Sequence, residues 1–284
     1  MTPRDPRKVL REAGLRPKRS FGQNFLVAEP IARAIAEACV QAEEQGRARV
    51  LELGAGTGVL TRWLVGRARE LTAVERDRDL VPVLIRELLG TDARVIEADA
   101  QSIDIARLLG NAEPGSPRVL CGNLPYAITG SLIRRAVENA NAVDRVVFMV
   151  QEEVAHRMVA RPGAEDRGAL TVFVQAAFDV RRVLRAPPGA FHPSPAVSSA
   201  VVEMIPLRSR RAVETETFRA LVHRAFQARR KTLRNAWAPL VADRAVLERA
   251  AALAEVALDA RGETLEVTAF AAMAAAIDRV SAPQ

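Results

Sequence analysis

Aromatic residues are scarce in this 284-residue chain, at 4% of the total, and there is a single tyrosine. That lone residue, Tyr126, falls inside a motif with chemical potential, which makes it a candidate functional residue. Cysteine is nearly absent. Cys39 and Cys121 are far apart and lack metal-ligand spacing, so neither a disulfide framework nor a zinc site is expected. No uninterrupted apolar run is long enough to span a bilayer, and the basic N-terminal segment lacks the apolar stretch of a secretory signal. A cytoplasmic protein with no membrane partner is expected.

Lysine is almost missing too: Lys8, Lys18 and Lys231 are the only lysines among 41 basic residues. The net charge is +7 and the sequence pI about 10.5. Arginine suits bidentate phosphate contacts and stacking on bases, so a nucleic-acid partner is one reading. A general preference for arginine on a soluble surface is the other, and charge alone leaves both open. The hydrophobic share of 49% and charged share of 26% are those of a soluble globular protein. The length accommodates one large domain or two smaller ones.

Short apolar runs alternate with helical patterns through the first two thirds. Strands are expected at Arg49–Leu53, Leu71–Glu75, Arg94–Ala98, Arg118–Gly122 and Arg145–Val150, with helices such as Val59–Arg67, Leu80–Leu89 and Gly130–Asn139 between them. That alternation predicts an α/β fold with a parallel sheet covered on both faces. Two further strand-like runs, part of Thr171–Leu184 and Ser198–Ile205, flank the proline-rich stretch Ala186–Pro195. They predict a terminal antiparallel pair joined by an extended, exposed connector. From about Thr215 to Arg279 the periodicity is helical throughout. The expected division is therefore a sheet domain, 1–206, and a small all-helical domain, 207–284. Before the sheet, Pro30–Glu44 reads as an amphipathic helix.

The strand Val50–Leu53 runs into Gly54-Ala55-Gly56-Thr57-Gly58. Glycines let a backbone turn sharply and approach a ligand where a Cβ would collide. The bland alternative is a tight strand–helix turn. Glu75 ends the next strand, where a carboxylate can accept from both hydroxyls of a ribose. Asp99, followed by Ala100, ends the third, where a carboxylate can accept from an adenine amino group. Gly, Glu and Asp on three successive strand ends describe a nucleoside pocket. The spacing is not the Gly-x-Gly-x-x-Gly of a pyrophosphate turn, and no Walker lysine follows it. S-adenosylmethionine, a nucleoside joined to an amino acid without phosphate, fits.

The fourth strand delivers Asn123-Leu124-Pro125-Tyr126. An exocyclic adenine amine is a poor nucleophile because its lone pair is delocalised into the ring. Two acceptors on its N–H groups, the Asn123 side-chain oxygen and the Leu124 carbonyl, favour the tetrahedral nitrogen as charge develops. Pro125 stiffens the turn and holds Leu124 extended, and Tyr126 offers a stacking face. Phe191, on the proline-rich connector, is a candidate for the other wall around an extruded base; a loop-anchoring hydrophobe is its alternative role.

Lys18–Leu26, the glycine turn, Gln151-Glu152-Glu153-Val154-Ala155, Asn123–Tyr126, Phe191–Ser198 and Phe226–Asn235 together resemble the bacterial small-subunit rRNA adenine N6,N6-dimethyltransferase family. The resemblance extends from about residue 7 to the C-terminal helices. It implies a Rossmann-like class I methyltransferase sheet and S-adenosylmethionine as cofactor. It also implies dimethylation of two adjacent adenosines in the 3′-terminal hairpin loop of 16S rRNA, on the 30S subunit or its precursor. In addition, it implies that Asn24 and Leu26 complete a cofactor pocket with Gly54, Gly56, Glu75, Asp99, Ala100 and Asn123. Lys18, Arg19, Arg229, Arg230, Lys231 and Arg234 would face rRNA, and a monomer is expected. Ala55 stands where the family usually has proline, Glu152 where lysine is common, and Ala196-Val197-Ser198 where Lys-Val-Asp is usual. The rival readings are a large-subunit rRNA adenine methyltransferase and a ribosome-assembly factor with vestigial chemistry.

Overall fold

The computed structural model describes residues 3–18, 21–241 and 243–281. It opens with α1 (Pro6–Glu12), the short β1 (Phe25–Leu26) and α2 (Glu29–Cys39). Strands and helices then alternate: β2 (Arg49–Leu53), α3 (Val59–Leu64), β3 (Glu70–Glu75), α4 (Val81–Glu87), β4 (Arg94–Glu97), α5 (Ile105–Leu109), β5 (Arg118–Asn123), α6 (Thr129–Glu138) and β6 (Arg145–Gln151). Next come α7 (Glu152–Val159), α8 (Ala169–Ala177), β7 (Phe178–Ala186), β8 (Phe191–His192) and β9 (Ser199–Pro206). Helices α9 (Glu216–Gln227), α10 (Leu233–Trp237), α11 (Arg244–Ala254) and α12 (Val267–Ser281) complete the order.

The chain forms two compact units. The first comprises residues up to Ala155 together with Val180–Pro206. Its sheet has the order β4-β3-β2-β5-β6-β9-β7. The first five strands are mutually parallel and β9 runs antiparallel to β6. Chain order reverses direction at β2, so a ligand crevice is expected at the carboxyl ends of β2 and β5. The central strands are buried on both faces, which is why β2 and β6 read as continuous apolar runs. Ala32, Ile35, Ala36 and Cys39 of α2, spaced at helical intervals, pack on Val50, Val119, Val147 and Val201.

The opposite, amino-terminal edge of the sheet is held by charge. β2, β5 and β6 each begin with a buried arginine. Arg49 bonds Glu113 and the carbonyls of Leu109 and Asn111, the latter at 2.9 Å. Arg118 meets Asp144 at 3.0 Å and Arg145 meets Glu44 at 2.6 Å. These guanidiniums take up the strand starts and the loops beside them, leaving the carboxyl ends for a site.

The second unit comprises His156–Asp179 and the residues from Leu207 on. Its core joins Val172 and Phe173 of α8 to Phe218, Leu221, Trp237 and Phe270. Phe173 and Phe218 meet edge to face at 6.1 Å, and the Trp237 indole donates to the Leu221 carbonyl at 2.9 Å. Thr215 caps α9 by accepting from the Phe218 amide. No helix among the described residues is long and apolar enough to cross a membrane.

The strand expected within part of Thr171–Leu184 is β7, in its second half; the first half is the helix α8, buried almost all round, so it carries no periodicity to separate helix from strand. Two expectations change. The compact units do not follow a single cut at residue 206, because α8 supplies part of the second unit's core. The proline-rich connector is not exposed throughout: Ala186, Ala190 and Phe191 are buried, and β8 pairs antiparallel with β1.

Arg167 is wholly buried in the second unit. It donates to the carbonyls of Ala160 (3.0 Å) and Leu265 (2.8 Å) and to Gln175 Oε1 (3.4 Å). Burial pushes its pKa below the ordinary arginine range. Truncation takes the guanidinium donor from the buried Leu265 carbonyl, while Gln175 still reaches that of Ala160, and it opens a void. Arg167→Ala should therefore cost roughly 3 kcal/mol, read from urea denaturation; a loss below roughly 1 kcal/mol would show that water replaces the guanidinium.

Candidate active site

At the carboxyl end of β2, Gly54, Gly56 and Gly58 all have positive φ (72°, 59° and 81°). A Cβ on Gly58 would lie 2.8 Å from Leu84, and one on Gly56 3.2 Å from the Phe25 ring. The amides of Gly54 and Ala55 donate to the Val74 carbonyl at 2.8 and 3.1 Å, so the turn bends over the end of β3. Glu75, the last residue of β3, is buried and accepts from the amides of Gly56 (2.7 Å), Arg76 (2.9 Å) and Asp77 (2.8 Å). Burial nonetheless pushes its carboxyl above the usual range. Beyond β4, Asp99 accepts from the Gln101 amide at 2.9 Å and pairs with Arg76 at 3.1 Å.

The segment before β1 closes this side. Lys18 binds Asp77 (2.5 Å) and Asp79 (2.6 Å), while Gln23 donates to Asp77 (2.7 Å) and accepts from the Lys18 amide. Burial works against ionisation of Asp77, but Lys18 and Gln23 hold its carboxyl below the ordinary range.

On the other side, β5 ends in Asn123. Its side-chain amide donates to the Asn24 carbonyl at 3.1 Å, which leaves Oδ1 as the acceptor. The Leu124 amide donates to the Met149 carbonyl at 3.0 Å and its side chain is buried, so the turn is pinned to β6. The Pro125 carbonyl accepts from the Ile128 amide and the Thr129 hydroxyl, starting α6. The Tyr126 hydroxyl lies 2.9 Å from Ser199 Oγ at the start of β9, and burial pushes the phenol above its usual range.

One cleft joins these parts. It is lined by Asn24, Leu26, Gly54, Gly56, Glu75, Asp99, Ala100, Asn123, Leu124, Pro125 and Tyr126, all expected from the sequence. Phe191 is not among the described residues lining it. Its side chain is buried with Leu26, Ile35 and Val201, opposite Leu26 in the β1–β8 pair. Lys18, expected to face RNA, pairs with Asp77 and Asp79. Arg19 lies outside the described residues. Arg229, Arg230 and Lys231 are exposed just beyond α9, with Arg229 bonding the Glu165 carbonyl. Arg234 is engaged by Glu248 and Asp259.

Three residues escaped the sequence reading. Gly122 has ordinary strand geometry, but a Cβ there would meet the Leu53 carbonyl at 2.4 Å. Ser199 anchors Tyr126. Glu52 lines the cleft, is fully buried, and its Oε2 has no hydrogen-bond partner. Burial, with Glu75 adding to it, pushes the Glu52 carboxyl up to about 7. An acid inside Val50-Leu51-Glu52-Leu53 was the visible signal.

A sequence model of the ribosomal RNA adenine dimethylase family matches residues 14–276. The chain is 43% identical over 276 residues to the ribosomal RNA small subunit methyltransferase A of Anaeromyxobacter sp. (strain K), covering 94% of this chain and 96% of that protein. The solved dimethyladenosine transferase of Plasmodium falciparum has the same fold, at a TM-score of 0.74 and 23% identity, with 90% of this chain and 98% of that one covered. The structure of the 23S rRNA methyltransferase ErmE is similar at a TM-score of 0.67 and 25% identity, covering 90% of this chain and 100% of that one.

Because the folded-state pKa of Glu52 lies above the ordinary one, its ionisation destabilises the native protein as pH rises from 4.5 to about 7. Glu52→Gln should be the more stable chain without ligand, by a margin that grows across that window and levels off at roughly 3 kcal/mol. Denaturant melts on either side of the window test this, and equal margins at both ends would refute it. Ser199→Ala should release the phenol. Ultraviolet resonance Raman of the single tyrosine would report the lost hydrogen bond, and an unaltered tyrosine doublet would remove Ser199 from this role.

Proposed function

The chain belongs to the ribosomal RNA adenine dimethylase family, and from that premise we propose a specific substrate: the 3′-terminal hairpin loop of 16S rRNA on the small subunit or its precursor. There it dimethylates N6 of two adjacent adenosines, acting as a monomer in the cytoplasm. The enzyme is an rRNA adenine dimethyltransferase and its methyl donor is S-adenosylmethionine.

The cleft suits that donor. The partnerless Glu52 Oε2 is a buried acceptor fit for an ammonium group. Glu75, already fixed by three amides, has one lone pair left, on Oε2, for a ribose hydroxyl, and Asp99 stands at the next strand end for an adenine amine. The glycine turn leaves the backbone bare between them. When bound, the cofactor supplies an electrophilic sulfonium methyl.

The residues of this chain do the rest. Asn123 Oδ1 and the Leu124 carbonyl accept from the target amine, drawing charge off its protons as nitrogen density turns towards the methyl. The amine proton then leaves to solvent. Holding the amine in line replaces a bimolecular encounter by an oriented one. Tyr126 supplies a stacking face, with Ser199 fixing its ring; Phe191 reaches the base only by leaving the core in which it is packed. The helical unit binds rRNA through Arg229, Arg230 and Lys231, since folded RNA is read through shape and phosphate.

The observation that carries this reading is the Asn123–Asn24 hydrogen bond, which orients the amide with its oxygen as acceptor. The small-subunit substrate is supported by the 43% identical relative, whose name specifies that subunit. Asn123→Ala should lower methyl transfer by two to three orders of magnitude, on the order of 10²–10³, while binding to 30S particles survives. Mass spectrometry of the rRNA hairpin measures the first and sedimentation the second; unchanged turnover would sink the assigned role.

A further inference from the structure

The last strand in the sheet order, β7, carries three arginines within five residues: Arg181, Arg182 and Arg185. Two of them converge on one carboxylate. Glu152, at the carboxyl end of β6, accepts from Arg182 at 3.2 Å and from Arg185 Nε at 2.9 Å. Arg185 also donates to Ser198 Oγ at 2.8 Å. The next residue is Ser199, whose hydroxyl meets Tyr126. The arginine pair therefore sits on the same sheet edge as the acceptor turn. Ser199 is paired with Gln151 and Asn123 with Met149, so β9 lies two strand spacings from β5, roughly 10 Å.

We propose that Arg182 and Arg185 form a phosphate clamp for the ribosomal RNA strand that enters the active site, with Glu152 holding the two guanidiniums in place until RNA arrives. Each guanidinium presents more donors than a single carboxylate can use. The Arg185 side chain is 59% exposed and that of Glu152 22%, so the pair can turn to a phosphate without unpacking the core. An exposed ion pair of this kind adds little to stability, which leaves its position beside the acceptor turn to be explained. Phosphate held there would fix the register of the strand and so present one nucleotide to Asn123.

This proposal rests on the rRNA-methylating reading of the same cleft. The alternative role for such arginines is to blunt an edge strand against pairing with another chain. The two roles separate with Arg182→Gln/Arg185→Gln and Glu152→Gln, each measured for binding to unmethylated 30S particles over a range of monovalent salt. A phosphate clamp predicts that the double variant binds roughly tenfold more weakly, with a salt slope shallower by about 0.7 for each phosphate no longer neutralised. Glu152→Gln, which removes the competing carboxylate, should bind more tightly than the parent chain. An unchanged slope in the double variant, or weaker binding by Glu152→Gln, overturns the clamp; self-association of the double variant at unchanged RNA affinity assigns the arginines to edge protection. A parent chain that binds naked 23S rRNA and not the 30S particle overturns the substrate reading instead. The clamp then stands or falls on the same two variants with that RNA.

Discussion

Everything in the first unit depends on how closely β5 passes β2 at their carboxyl ends. The hydrogen atom of Gly122 occupies the space where any Cβ would lie 2.4 Å from the Leu53 carbonyl. Because the strands close to that distance, the turn after Leu53 and the turn after Asn123 become neighbours, with Pro125 Cδ 3.8 Å from where a Cβ on Gly54 would lie. A donor pocket and an acceptor turn built on adjacent strands can share one cleft only if nothing separates them. Backbone approach of this kind is rigid, since no side chain can rotate away from it.

That rigidity is combined with a buried acid the fold does not satisfy. Glu52 is enclosed with one oxygen lacking a partner, and the neighbouring carboxylate of Glu75 makes its ionisation harder still. Glu75 faces the same burial but is compensated by three amides from the turn it helps shape. The contrast is informative. Glu75 is bonded within the protein and holds the geometry of the site, whereas Glu52 is buried beside the cleft with Oε2 unpartnered. Buried polar groups are normally paired, so an unpaired one lining a cleft marks where a ligand completes the structure.

Strand ends were the legible part of the sequence. Glycine, Glu75, Asp99 and Asn123 each follow an apolar run, and the alternation of runs with helical patterns places such ends side by side. The place of Asn123–Tyr126 in the same cleft could likewise be expected from the end of the fourth strand. What could not be read depended on packing. Residues 171–177 form a helix because they are enclosed by other helices, a condition no local periodicity reports. Phe191 looks like a loop residue between prolines, yet pairing between two-residue strands, β1 and β8, puts its ring in the core. Ser199 acquires its role only because β9 returns antiparallel beside β6 and delivers it to Tyr126. Lys18 was read by its charge, whereas two carboxylates after β3 determine where it points.

The arginine content illustrates the same limit. A chain with almost no lysine and a net charge of +7 leaves an RNA-binding surface and a merely soluble one both open, and many of its arginines are spent inside the fold. Arg49, Arg118 and Arg145 tie down the amino-terminal edge of the sheet, Arg167 fills the core of the second unit, and Arg234 is held by two acids. Planar guanidinium can satisfy several carbonyls at once, which suits it to these buried positions as well as to phosphate. Charge therefore acquires meaning for RNA only where the fold leaves it exposed, and the composition alone could not tell Arg230 from Arg167.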